Sequence, residues 1–376
     1  MRRADPPARR PPGARWAGIP PDVLPAHFGE LDLPVAEPVK RALHAAVEGD
    51  DLRYQGPDPA PLAAAFKGFA RRRLGWDAGG ARVALLPGVM VGLTELLRVL
   101  LAPGAGVAVA TPAYQGVVQA IAEAGCGPVE VPLASGGALD LDALGAALAG
   151  HAGAVLLCNP HNPTGRVAPQ AELEAVAALA DRHGAWVLSD EIWAPLALPG
   201  ARAIPYLSVS AAAADHGIAL TSASKAFGLG GLRGALAVTA SARARAAVQR
   251  LPDDLHFRVA RLGVVVAEAA FSEGDAWLDW LLSELADRRR RLAELLPELV
   301  PAVRWTPPDA GFVAWLDCRA SGLGDDPAEA ILDVGRLAVG SGLDFGAAGA
   351  GHVRLAFGTT AAAVEESVVR LGAALA

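Results

Sequence analysis

The apolar and polar positions of this chain change rhythm along its length. From residue 83 onward, short unbroken apolar runs alternate with longer stretches whose apolar residues recur at helical spacing. The runs fall at 83–86, 107–110, 154–157, 185–189, 218–220 and 235–238. Runs with no polar face belong inside a sheet covered on both sides, and the helices between them predict parallel crossovers. Helical patterns occupy 37–47, 61–74, 89–101 and 169–183, and a long amphipathic helix is predicted over 276–296. Beyond it, 303–306 and 312–317 read as short strands and 327–341 as a helix. Residues 352–357 alternate, so Val353, Leu355 and Phe357 share one face and Arg354 takes the other. No internal repeat occurs.

This pattern predicts an α/β protein with a large domain over 49–272. Residues 1–25 read as a flexible arm. With 376 residues the chain is long enough for two cores.

Composition narrows the classes. The chain is 52% hydrophobic, yet no stretch approaches the ~20 unbroken apolar residues of a membrane span. A net charge of −7, without basic clusters interleaved with aromatics, argues against a nucleic-acid partner. The basic run 288–291 lies in the long helix and reads as a solvated face. Cys126, Cys158 and Cys318 are widely separated, and neither CxxC nor HExxH occurs. A disulfide framework or zinc site is therefore not expected, and a reducing cytoplasm is. The charged, proline-rich first residues lack the apolar core of a signal peptide.

The candidate chemistry centres on Lys225. Of 33 basic residues only Lys40, Lys67 and Lys225 are lysines, and the first two sit at polar positions of helical patterns. Lys225 instead follows a buried run within Ser222-Ala223-Ser224-Lys225-Ala226-Phe227-Gly228-Leu229-Gly230-Gly231-Leu232-Arg233. A guanidinium never deprotonates in a protein, whereas a desolvated lysine can attack a carbonyl and form a Schiff base. Ser222, Ser224 and Arg233 could converge on one phosphate. The turn at Gly88 leaves the N–H groups of Val89 and Met90 as a second anion-binding face. Asp190 ends an apolar run, where a carboxylate is costly unless it meets a cation.

A lysine beside a phosphate site implies pyridoxal 5′-phosphate, and the lysine segment resembles the signature of the class I/II aminotransferase family. Gly234 departs from it, standing where an aliphatic residue is usual. The string Asn159-Pro160-His161-Asn162-Pro163-Thr164-Gly165-Arg166 and the triplet Asp190-Glu191-Ile192 are similar to two further motifs of that family. The resemblance implies fold type I, an aspartate aminotransferase-like α/β arrangement with a mostly parallel seven-stranded sheet in the large domain and a smaller domain assembled from 26–48 and 273–376. It also implies a homodimer with shared active sites. Asp190 would hold the pyridine nitrogen, Asn162 the 3′-oxygen, Tyr114 the ring face and Arg354 the substrate carboxylate. Tyr54 would reach into the partner's site. Trp193 stands where the family has Tyr or His, and its indole can donate but not titrate.

Within the family, His27 to Leu33, Arg72 to Trp76 and the Pro-His-Asn-Pro loop resemble the cystathionine β-lyase branch of C–S lyases. His27 and Glu30 depart from that branch's Trp and Asp, while Asp32, a substrate-entrance residue there, is retained. The expectation is a β-lyase that splits an S-substituted L-cysteine into thiol, pyruvate and ammonia. An aminotransferase is the second reading, and a non-catalytic cofactor-binding regulator the third.

Overall fold

The computed structural model describes residues 13–375. A two-residue strand β1 (Leu24–Pro25) opens the regular structure, followed by the helix Glu37–Glu48. Then come β2 (Arg82–Leu86), β3 (Gly106–Thr111), β4 (Gly127–Pro132), β5 (Ala152–Cys158), β6 (Trp186–Asp190), β7 (Gly217–Thr221) and β8 (Ala235–Thr239). These seven make one sheet in the order β2-β8-β7-β6-β5-β3-β4. Strand β8 runs antiparallel to both β2 and β7, and every other pairing in the sheet is parallel. All five residues of β7 and of β8 are buried, as their uninterrupted apolar runs require.

Strand β4 is not anticipated by periodicity. It lies at the sheet edge and pairs only with β3, and Pro128 and Pro132 interrupt the apolar signal of Val129 and Val131. Proline is tolerated there because an edge strand leaves half its N–H groups outside the ladder.

The 25-residue helix Asp275–Leu299 leads into the second sheet. That sheet contains β9 (Arg304–Trp305), β10 (Val313–Asp317), β12 (Gly340–Ser341) and β13 (His352–Ala356) in the order β12-β13-β10-β9, all antiparallel. Strand β11 (Leu337–Ala338) pairs in parallel with β1, so both ends of the chain meet there.

Two expectations are corrected. The helix expected over 327–341 ends at Gly335, where Arg336 turns left-handed at φ 53°. The apolar residues after it leave the helix because Leu337 and Ala338 pair with Leu24 and Pro25. The basic run of the long helix is not wholly a solvated face, because Arg288 is only 6% exposed. It occupies the same buried stripe as Leu281, Leu285 and Leu292, and donates to the carbonyls of Thr359 and Glu284 and to the Glu284 carboxylate. A helix-period count sees a charge at this position, but not the carbonyls that accept from it.

Candidate active site

Five of the expected segments leave the carboxyl ends of like-directed strands of the seven-stranded sheet, where open α/β sheets bind ligands. Gly88 follows β2, Tyr114 follows β3, Asn162 follows β5, Asp190 closes β6, and Lys225 lies four residues past β7. A single helical turn, Ser224–Phe227, carries Lys225 and is stopped by Gly228 at φ 69°, a conformation that favours glycine.

The Lys225 ammonium is half-buried and donates from Nζ to the Gly29 carbonyl at 2.6 Å. Burial, with Arg354 close by, pulls its pKa down to about 8, against the opposing charges of Glu30 and Asp190. The Trp193 ring lies 5.7 Å from Nζ. That indole is buried against Phe312 at 4.8 Å, and Gly311 (φ +83°) leaves it room, since a Cβ there would sit 2.9 Å from Cε3.

Asp190 is buried and accepts from the Ile192 N–H at 3.1 Å. Among the described residues no cation lies within ion-pair distance of it, and burial pushes its carboxyl up to about 6. Beside it Glu191, which the sequence reading gave no role, accepts from Ser189 Oγ at 2.9 Å and Tyr206 N at 2.8 Å. Burial raises Glu191 to about 7, and the charge of Asp190 adds to the shift.

Arg354 is 8% exposed and has no carboxylate partner among the described residues. Its Nη1 donates to Asn162 Oδ1 at 3.1 Å and its Nη2 to the His27 carbonyl at 3.0 Å, while Nε is buried and unpaired. Its Cζ lies over the Phe345 ring, 4.9 Å from the centroid. Burial lowers its pKa to about 10, which still leaves it fully charged near neutrality. A buried guanidinium with an uncommitted N–H is arranged to receive an anion.

Tyr114 is the residue before the helix Gln115–Glu123, and it lines one cavity with Cys158, His161 and Asn162. Its ring needs the glycine at 116, where a Cβ would come within 2.5 Å of Cε1. The N–H groups of Val89 and Met90 open the helix Val89–Leu100, which carries no side-chain cap.

Other expected residues stand differently. Ser222 spends its hydroxyl proton on the Gly234 carbonyl at 2.7 Å and accepts from Ser224 N at 3.1 Å, which braces the turn around Lys225. Arg233 is exposed, and its guanidinium has no hydrogen bond among the described residues. The Asp32 carboxylate is not turned toward Arg354. It accepts from Thr359 Oγ1 at 3.2 Å and faces Arg15 Nε at 3.8 Å. Tyr54 is 82% exposed and meets Phe257 edge-on at 5.9 Å, away from the Lys225 cluster of its own chain.

One residue that no local pattern points to is Arg15. The expected flexible arm lies outside the described residues up to residue 12, but Arg15 is only 4% exposed. It donates to the Glu30 carbonyl at 3.2 Å and the Pro25 carbonyl at 2.7 Å. It thereby fastens the segment whose Gly29 and His27 carbonyls receive Lys225 and Arg354.

The groups present fit pyridoxal phosphate. A lysine with a weakened proton, a buried carboxylate lacking a cation and a helix start with free N–H groups match its aldehyde, ring nitrogen and phosphate. Comparison with known proteins agrees. The family model "Aminotransferase class I and II" matches residues 27–371. A putative cystathionine beta-lyase of Mycobacterium leprae is 40% identical over 96% of this chain and 94% of its own. The cystathionine beta-lyase of Corynebacterium glutamicum is 30% identical over 96% of each chain. The solved structure of a putative PLP-dependent beta-cystathionase from Corynebacterium diphtheriae superimposes with a TM-score of 0.91 at 29% identity, covering 96% of this chain and 95% of its own.

Proposed function

The chain belongs to the class I and II aminotransferase family, and on that premise we propose that it is a pyridoxal-phosphate-dependent C–S β-lyase. Its substrate is an S-substituted L-cysteine of the cystathionine type, released as thiol, pyruvate and ammonia. The observation that carries this reading is the likeness, along nearly the whole chain, to proteins named cystathionine beta-lyase at 30% and 40% identity.

The cofactor, when bound, supplies a ring that takes up the electron pair left when the α-proton departs. The rest is work for the chain's own side chains. Lys225 would hold the cofactor through Nζ, and Asp190 would offer a buried negative charge to its ring nitrogen. Tyr114 packs against the ring and Asn162 donates toward the 3′-oxygen. Trp193, whose ring lies 5.7 Å from Lys225 Nζ, would donate through its indole N–H toward the same oxygen. Val89, Met90, Ser224 and Arg233 would hold the phosphate, with Ser222 bracing the turn that carries Lys225. Arg354 takes the substrate carboxylate, which places the α-carbon beside Lys225. Lys225 then removes the α-proton as a neutral amine, a state favoured by its low pKa. The Gly29 carbonyl holds that amine in place.

An aminotransferase would use the same residues, as the family description allows, so the assay must separate the two outcomes. Loaded protein is given L-cystathionine with no keto-acid acceptor. Repeated release of pyruvate with equal thiol is the expected result. One equivalent of keto acid per site, after which reaction stops, would establish transamination instead.

We further infer a homodimer, acting in the cytoplasm, in which Tyr54 completes the neighbouring site. Support comes from the exposure of Tyr54 and of Phe257 packed against it, on two segments that are nevertheless tied together. Arg261 binds Asp51 with distances of 2.5–3.0 Å and Gln55 Oε1 at 3.1 Å. Mixing Lys225→Ala with Tyr54→Phe chains tests it, since each hybrid dimer then has one intact site. Activity regained on mixing is expected; no regain would leave Tyr54 without a role across the interface. Among the described residues no helix is long and apolar enough to cross a membrane.

A further inference from the structure

Among the described residues, Glu30 is a charge without a partner, close enough to Lys225 to act on it. It is half-buried, and among the described residues its carboxylate has neither an ion pair nor a hydrogen bond. Two cations feel its field, Lys225 and Arg15, yet both are committed elsewhere. Arg15 uses Nη1 and Nη2 on the carbonyls of Glu30 and Pro25, and turns Nε to Asp32. Lys225 donates to Gly29. On its other side the carboxylate lies along the glycine-rich turn after Lys225, where a Cβ on Gly230 would stand 3.4 Å from Glu30 Oε1. The turn leaves space for the charge but supplies no counter-ion.

A carboxylate that no cation of the chain pairs is open to a cation brought by a ligand, through a charge-assisted contact. In the proposed reaction the substrate's α-amino group is bound to the cofactor and its α-carboxylate to Arg354. Any cation reaching Glu30 must then come from the part of the substrate beyond the sulfur. We propose that Glu30 is a specificity residue that selects thioether substrates carrying a positive charge, such as a second ammonium group, on the leaving thiol. The inference deepens the lyase reading and rests on it for the identity of the substrate class.

The test compares S-(3-aminopropyl)-L-cysteine with S-butyl-L-cysteine, which match in length and differ in the terminal charge. In the wild-type holoenzyme the cationic substrate should have the higher kcat/KM by roughly tenfold, the size of one charge-assisted contact in a partly shielded site. Glu30→Gln should bring that ratio close to one, and Glu30→Asp should keep its direction, which guards against a Gln variant that fails to fold. No preference in the wild type overturns the proposal. So does an equal loss on both substrates in Glu30→Gln, which would make Glu30 a partner of Lys225 rather than of substrate. Binding of the same two compounds, followed through the cofactor's absorbance, reads the preference without bond cleavage. A failed lyase assay would therefore count against the reaction and not against this charge selection.

Discussion

Arg354 and Asn162, 192 residues apart in sequence, are joined by a hydrogen bond of 3.1 Å from Nη1 to Oδ1. The bond ties β13 of the second sheet to the loop that follows β5 of the first, so the proposed carboxylate receptor and the proposed 3′-oxygen donor are set by one contact. Arg354→Gln is expected to lower kcat/KM on the order of 10²-fold, chiefly through KM, because a charged pair to substrate is lost. Asn162→Ala should cost less, about tenfold, since it loosens Arg354 without removing it. Steady-state kinetics of both single variants and the double one check the coupling. Losses that simply add would mean the two residues act independently.

The proton on Lys225 gives a pH signature. Burial comes first and Arg354 second among the causes that bring its pKa down to about 8 from the ordinary 10.5. Only the neutral amine can capture an aldehyde, so the rate of cofactor uptake by apoprotein should rise with pH and level off above about 8. Stopped-flow absorbance measures this directly. Arg354→Gln should move the inflection upward, and an inflection near 10 in the wild type would contradict the burial argument.

Asp190 and Glu191 make the stability of the cofactor-free protein depend on pH. Their folded values, about 6 and about 7, lie above the ordinary 3.8 and 4.5. The folded state therefore binds more protons, and the stability these groups contribute is full below about 4 and lost as pH rises through about 7. A cation beside Asp190 offsets the loss. Cofactor binding should thus raise the melting temperature more at neutral pH than at pH ~5. Asp190→Asn should flatten part of the apoprotein's decline while weakening catalysis by roughly 10²-fold or more. Scanning calorimetry across pH is the measurement, and a cofactor effect independent of pH would be the contrary result.

The parts of this site that could be read in the sequence are those carried by short, contiguous segments. The runs that became β5, β6 and β7 announce buried strands, and Asn162, Asp190 and Lys225 sit at or just past their ends. Residues whose role depends on a distant partner could not be read. Arg288 counts as one more charge of a basic helix until the Thr359 carbonyl is placed beside it. The segment from Leu337 to Ser341 looks helical by apolar content, and becomes strand because β1 and β13 are there to pair with it. Asp32, picked for the substrate, is instead taken up by Thr359 and Arg15. Arg15 itself lies in a stretch without periodicity, and only the folding of residues 25–32 around it buries the guanidinium.

Arg15 leads to the last prediction. It touches neither Lys225 nor Arg354, but it holds the backbone whose Gly29 and His27 carbonyls receive both of them. Arg15→Ala would leave two carbonyls and the Asp32 carboxylate without their cation, at a cost of roughly 2–4 kcal/mol of local stability. The segment from His27 to Asp32 should then open more often. Amide hydrogen exchange is expected to quicken at Glu30 and Asp32, whose N–H groups bond to Phe28 O and Gly358 O. KM should rise several-fold with a smaller change in kcat, because the open segment delays substrate capture rather than proton transfer. Arg15→Lys keeps the charge but loses the forked geometry and should recover only part of the effect. Unchanged exchange in this segment, or a loss confined to kcat, would show that Arg15 does not position it.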